Sequence, residues 1–221
     1  MSAIHLRVFL LFLTACHALG GSVRFLAVEG GGDLPGIGIR TAKGLVEVDD
    51  LGPLKRSAAY QLPKGHEDLL LEAAGRKRAD GKPASLTMPI DSAMKSPLVL
   101  ILADAAAETG FRAVLVDDDP KSFPKGTCRF FNSSKSPFTL RFGTKTETLA
   151  ENGASLDLRP EGEAKKLGVQ LTKPDAPETI LYSAVWQNEP EVRKLVIIAD
   201  GSDPQTAPVE VRILPDTPAG K

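Results

Sequence analysis

The chain has few of the side chains that build reaction centres. Among 221 residues there are three histidines (His5, His17, His66) and two cysteines (Cys16, Cys128). Long apolar runs are equally scarce. One opens the chain, from Val8 to Leu13 after the single basic residue Arg7. It is far short of the roughly 20 apolar residues that span a bilayer. It matches the apolar region of a secretory signal instead. Ala18-Leu19-Gly20 places small residues where a signal peptidase reads, so residues 1–20 are taken as a signal peptide with Gly21 as the new terminus. A second processing reading stays open. Leu13-Thr14-Ala15-Cys16 resembles a bacterial lipobox, and Cys16 would then be lipidated and anchor the protein to a membrane. Either way the protein is expected to be exported, to the periplasm, the cell surface or the medium.

These scarcities exclude several chemistries. Removal of the first 20 residues leaves His66 as the one histidine. A zinc site with two histidines cannot then be built within one chain. Nor can a blue-copper site, which needs two histidines and a cysteine. A Ser-His-Asp triad would have to use His66, which sits in the polar turn Lys64-Gly65-His66-Glu67-Asp68 and reads as a solvated loop residue. No Gly-x-Ser-x-Gly elbow is present. Cys128 is left without a partner, which excludes a disulfide framework. It lies on an alternating strand pattern and reads as a buried small apolar residue. Arg7 is the one basic residue in the leader, so 26 basic and 28 acidic residues remain, a net charge of −2. No basic stripe interleaved with aromatics points to nucleic acid. No cofactor is expected.

What is present is turns, strands and a repeat. Seventeen prolines and 20 glycines punctuate the chain. Leu98–Asp104 aligns with Lys194–Asp200, an offset of 96 residues. Phe111–Pro120 aligns with Val209–Pro218 at 98, Ala59–Pro63 with Leu156–Pro160 at 97, and Val23–Phe25 with Cys128–Phe130 at 105. Four matches in the same order indicate a duplicated domain, since the period is well above that of solenoid repeats. The expected organisation is an all-β protein of two tandem sandwiches of immunoglobulin-like size, residues 22–120 and 126–216, with a tail at 217–221. The join falls in Asp119–Gly126, which holds two prolines and a glycine.

Period-two alternation marks strands at Phe138/Leu140/Phe142, Ala154/Leu156/Leu158 and Val209/Val211/Ile213. Ile180–Trp186 and Leu195–Ala199 are continuously apolar and read as central strands. About seven strands per copy are expected. Glu67–Arg78 and Ala103–Thr109 have helical composition, but the repeat argues for strand at Leu69–Leu71, whose counterpart Leu167–Leu171 is a poor helix. Ala105–Ala107 could form one helical turn.

The segments Cys128–Ser134, Phe138–Gly143 and Thr148–Gly153 resemble a pattern of uncharacterised exported bacterial β-sandwich proteins: a strand ending in Asn-x-Ser, a strand ending in Gly, then a Leu-x-x-Gly-like turn. The resemblance covers mainly residues 127–159. Such families include polysaccharide-export accessory proteins and other envelope proteins, and the resemblance carries no catalytic residues.

The remaining clusters read as structural. Asp117, Asp118 and Asp119 are weak calcium candidates, but their spacing fits no calcium loop, so a water-exposed strand end is expected. Gly30–Gly32 lacks the Lys-Ser/Thr of a phosphate loop. Trp186, Tyr182 and Ala184 share a strand face and read as core. Asn132-Ser133-Ser134 is formally a glycan acceptor, discounted because the export signal is bacterial in type. The reading is a non-enzymatic module that binds an envelope protein or polysaccharide and meets a membrane only through a lipid at Cys16. Two alternatives are a polysaccharide hydrolase that uses loop carboxylates in a cleft and a calcium-stabilised adhesin-like module.

Overall fold

The computed structural model describes residues 21–28, 34–41, 44–49, 51–62, 68–162, 164–203 and 205–216. The signal peptide, Cys16, His66, the Gly30–Gly32 run and the tail at 217–221 lie outside the described residues. Among those described there is no helix. None is therefore long and apolar enough to cross a membrane.

The first half holds β1 (Ser22–Ala27), β2 (Ile37–Thr41), β3 (Gly44–Glu47), β4 (Tyr60–Gln61), β5 (Asp68–Lys77), β6 (Pro83–Pro89), β7 (Pro97–Ala103) and β8 (Phe111–Asp117). The second holds β9 (Cys128–Asn132), β10 (Phe138–Phe142), β11 (Lys145–Leu149), β12 (Ser155–Leu158), β13 (Lys166–Lys173), β14 (Ala176–Gln187), β15 (Arg193–Asp203) and β16 (Ala207–Asp216). The sheet orders are β3-β2-β5-β6 and β4-β1-β7-β8, then β11-β10-β13-β14 and β12-β9-β15-β16. Adding eight to every strand number of the first half gives the second. In each half the first and seventh strands pair in parallel, and the other pairings are antiparallel. The same topology thus occurs twice in an all-β, two-sandwich chain.

The registers correct two of the sequence alignments by one residue. Phe25 pairs with Val99, and Phe130 with Val196. Val99 therefore corresponds to Val196, an offset of 97 rather than 96. Val23 faces Tyr60 and Cys128 faces Leu158, so that offset is 98 rather than 97. A one-residue slip matters because it turns every side chain to the other face.

Those faces build three cores. Phe25, Ile39, Leu71, Val99 and Ile101 fill the first sandwich. Phe130, Leu140, Leu171, Val196 and Ile198 fill the second. The third lies between them: Leu26, Leu98, Leu100 and Leu102 of the first copy meet Phe131, Leu195 and Ile197 of the second, with Phe123 of the connection. The inner sheets are buried on both faces, which is why β7 and β15 read as unbroken apolar runs. β14 reads similarly but is an edge strand. Ile180 is 54% and Val185 69% exposed, so that expectation is corrected. The helical reading of Glu67–Arg78 is corrected over its described residues, since Asp68–Lys77 forms β5, and Ala103–Thr109 holds turns.

The third core makes the two copies one folding unit. Thermal unfolding is expected as one cooperative transition. Leu100→Ala, by removing buried methyl groups from that core, should cost about 2–5 kcal/mol. Calorimetry on both forms checks this, and two separable transitions would contradict it.

Candidate functional site

The connection between the copies is built from charges as much as from apolar groups. Asp118 is 4% exposed. Its carboxylate accepts from Arg56 Nε at 2.8 Å and Nη2 at 3.0 Å, and lies 3.5 Å from Arg193. Arg193 donates to the Asp118 and Phe123 carbonyls and to Asp216. Arg129 holds Asp157 through two bonds of 2.7 Å and donates to the Asp117 carbonyl. Both guanidinium groups lie over the Phe123 ring, at 4.5 and 5.0 Å from its centre. Charges removed from water in this way hold only while paired.

The expectation of a water-exposed acidic strand end is therefore corrected for Asp118. The three neighbouring carboxylates have separate tasks. Asp117 accepts the Ser96 and Asp119 amides, and Asp119 accepts that of Lys121. Among the described residues no group of three His, Cys, Asp or Glu is placed to hold a metal ion. Sequence reasoning missed Arg56, Phe123, Arg129 and Arg193, because their contacts follow no local periodicity: Arg129 reaches 12 and 28 residues along the chain, Arg56 62 and Arg193 up to 75.

Other singled-out residues are structural. Asn132 is fully buried. Its amide donates to the Ser136 and Ala150 carbonyls, and its oxygen accepts from Ser134, so the folded chain cannot present it to a glycosylating enzyme. Trp186 stacks on Phe130 at 5.9 Å and donates to the Tyr182 hydroxyl. Cys128 is buried, and loss of solvation pushes its thiol up to about 11 despite the opposing charge of Lys194. Such a thiol is a poor nucleophile.

Two hollows remain to be weighed. One, of about 480 Å³, lies at the connection and is lined by Phe123, Lys125, Arg159, Arg193 and the single acid Asp216. The other, of about 460 Å³, is a groove on the outer sheet of the first copy. Its origin is local. On β5 the residues between Glu72 and Lys77 form a bulge against β6, with Gly75 at φ +72°. At the same level Gly38 presents no side chain, and a Cβ there would meet Leu45 Cδ1 at 2.7 Å. Glu47 and Glu72 flank Gly38 on the neighbouring strands. Arg40 clamps one oxygen of Glu72 through its Nε, at 3.0 Å, and through Nη2. Glu47, Arg76 and Lys77 line the groove with no hydrogen bond or ion pair to a described residue. This groove unites two carboxylates, the feature expected of the hydrolase alternative.

No family model matches the chain, and no curated protein matches it. Solved structures do. One is described as "Alpha-glucan binding by a streptococcal virulence factor", at 12% identity and TM-score 0.28, covering 81% of this chain and 93% of that one. Another is the multi-modular glycogen-degrading pneumococcal virulence factor SpuA, at 12% and 0.28, covering 81% of this chain; the match spans 21% of that chain. A third is a cell adhesion candidate from Bacteroides uniformis, at 12% and 0.26, covering 90% of this chain and 96% of that one. Likeness at these values carries no argument about ligand or activity.

Two measurements test the connection and the thiol. Asp118→Ala leaves Arg56 and Arg193 short of a buried partner and should cost about 3–5 kcal/mol in denaturant unfolding. A thiol whose folded pKa is raised stabilises the fold below its unfolded value, near 9, and that contribution fades as pH climbs towards about 11. Replacement by alanine (Cys128→Ala) should flatten the stability profile between those pH values, and a thiol reagent at pH 8 should label the wild type only as it unfolds.

Proposed function

We propose that the protein is a non-catalytic module of the cell envelope, exported and held free or through a lipid on Cys16, whose two sandwiches present a binding face to an envelope polysaccharide or protein. The observation that carries this reading is the third core with its ion cluster. Leu100 and Ile197 are fully buried between the copies, and Asp118 ties Arg56 of the first copy to Arg193 of the second. Two domains fixed in this way keep surface groups at set distances, as a spacer or adaptor must, whereas ordinary domain interfaces leave relative motion.

A second reading, a polysaccharide hydrolase, is favoured by one observation, the presence of Glu47 and Glu72 in one groove. Against it, Arg40 occupies one Glu72 oxygen and Glu72 is 7% exposed. Small-angle scattering of the chain should fit a single fixed arrangement of the two copies. Incubation with neutral and acidic polysaccharides should release no reducing ends. A flexible two-body curve would overturn the rigid-spacer reading. Release of reducing ends that Glu47→Gln abolishes would replace the non-catalytic reading with the hydrolase.

A further inference from the structure

We propose that the groove over Gly38 is a binding site for a neutral, hydroxyl-rich ligand, a sugar unit of a polysaccharide. The duplicated fold supplies an internal comparison. By register, Glu47, Gly38 and Glu72 form one row across β3, β2 and β5. The equivalent row in the second copy is Thr148, Thr139 and Thr172. Arg40 is matched by Arg141 on the next row. The sandwich is therefore built in the second copy with three threonines where the first carries two carboxylates and a bare backbone. The fold does not require Glu-Gly-Glu: the bare backbone at Gly38 makes room for Leu45, but the two carboxylates beside it serve no packing that the second copy needs.

The lining selects the ligand. Ile37, Leu45, Ala73 and Pro83 offer apolar contact, and the volume lies in the range of small-ligand sites. Above them stand two carboxylates and two cations, Arg76 and Lys77. Arg40 already neutralises Glu72, so an anion entering the groove would meet Glu47, and a cation would meet Arg76 and Lys77. A neutral ring bearing hydroxyls satisfies both sets, because each hydroxyl donates one bond and accepts others. Glu47 takes its protons and the guanidinium and ammonium groups of Arg76 and Lys77 reach its oxygens, while its C–H faces lie on the apolar floor. The ligand replaces water at Glu47, Arg76 and Lys77 without leaving a buried charge unpaired.

This inference deepens the envelope-binding reading and rests on it for the choice of polymer. The test is affinity electrophoresis of the chain in gels containing glycogen, dextran, mannan or xylan, with polygalacturonate as the acidic comparison. Retardation by at least one neutral polymer is expected. Gly38→Thr, which installs the second copy's residue, should weaken it at least tenfold. The substitution meets the Leu45 side chain at Cδ1, Cγ and Cδ2 (2.7–3.2 Å), so Leu45, which is 54% exposed, must turn aside into solvent; a melting temperature measured beside the binding shows that the fold survives. Glu47→Gln, on an exposed strand, should weaken it several-fold with an unchanged melting temperature, and Thr139→Gly should leave it intact. Three outcomes would overturn the site: no retardation by any neutral polymer, stronger retardation by polygalacturonate, or retardation that Gly38→Thr and Glu47→Gln leave unchanged. In the third case polysaccharide binding stands and the groove alone fails. The rigid arrangement is decided separately by scattering.

Discussion

Burial of the two inner sheets against each other is the constraint from which the rest of the structure follows. A strand with one wet face alternates apolar and polar residues, but β7 and β15 cannot, because each face serves a different core. Val99 and Ile101 belong to the first sandwich, while Leu98, Leu100 and Leu102 belong to the contact between copies. Four layers of sheet with three cores result. The apolar area that would be a liability on an isolated sandwich becomes the joint of the pair.

The same constraint explains where charge is tolerated inside. The connection Asp119–Gly126 passes the rim of the middle core, where Phe123 is inserted at 1% exposure. Around it the backbone carbonyls of Asp117, Asp118 and Phe123 would be left without donors in a dry environment. Arg129 and Arg193 supply those donors and cover the ring. Asp118, Asp157 and Asp216 then neutralise the arginines. Each group is satisfied only because the others are present, so the cluster specifies one docking geometry as well as contributing to stability.

Much of this was legible in the sequence, and its limits are physical. Alternation located β10 and β12, because one face of each meets a core and the other meets water; it located β16 as well, although there Ile213 is exposed and Leu214 on the opposite face joins the middle core. The repeat gave the number of sandwiches. It misplaced two equivalences by one residue, because a run such as Leu98–Leu102 is apolar at every position and a slip costs nothing in composition. The run at Ile180–Trp186 misled for a related reason: apolar residues on an edge strand and on a central strand look alike until pairing is known. Ile180 and Val185 lie on the outer face of β14, beside the β13–β14 bulge at Thr172. The acidic triplet could not be read either. Asp118 differs from its neighbours only in facing Arg56 and Arg193, which are 62 and 75 residues away.

The repeated topology also separates the positions where the two halves agree from those where they differ. At several inner-sheet positions the copies agree in kind, Phe25 with Phe130 and Ile101 with Ile198, because both faces are packed and volume is constrained, whereas Ala27 has the buried Asn132 as its counterpart. On the outer sheets only the inward face is so constrained: Ile39 and Leu140, Leu71 and Leu171 match, while the outward row changes from Glu-Gly-Glu to Thr-Thr-Thr. The bulges differ as well. The additional residues lie on β5 in the first copy and on β14 in the second, so the irregularity opens towards a different strand. A glycine at a central outer-sheet position weakens a strand, since it gives up side-chain packing and backbone entropy. At Gly38 the missing side chain leaves room for Leu45 to lie across the backbone between two carboxylates. In a molecule whose middle is rigid by construction, the outer faces are where the copies can differ in what they bind.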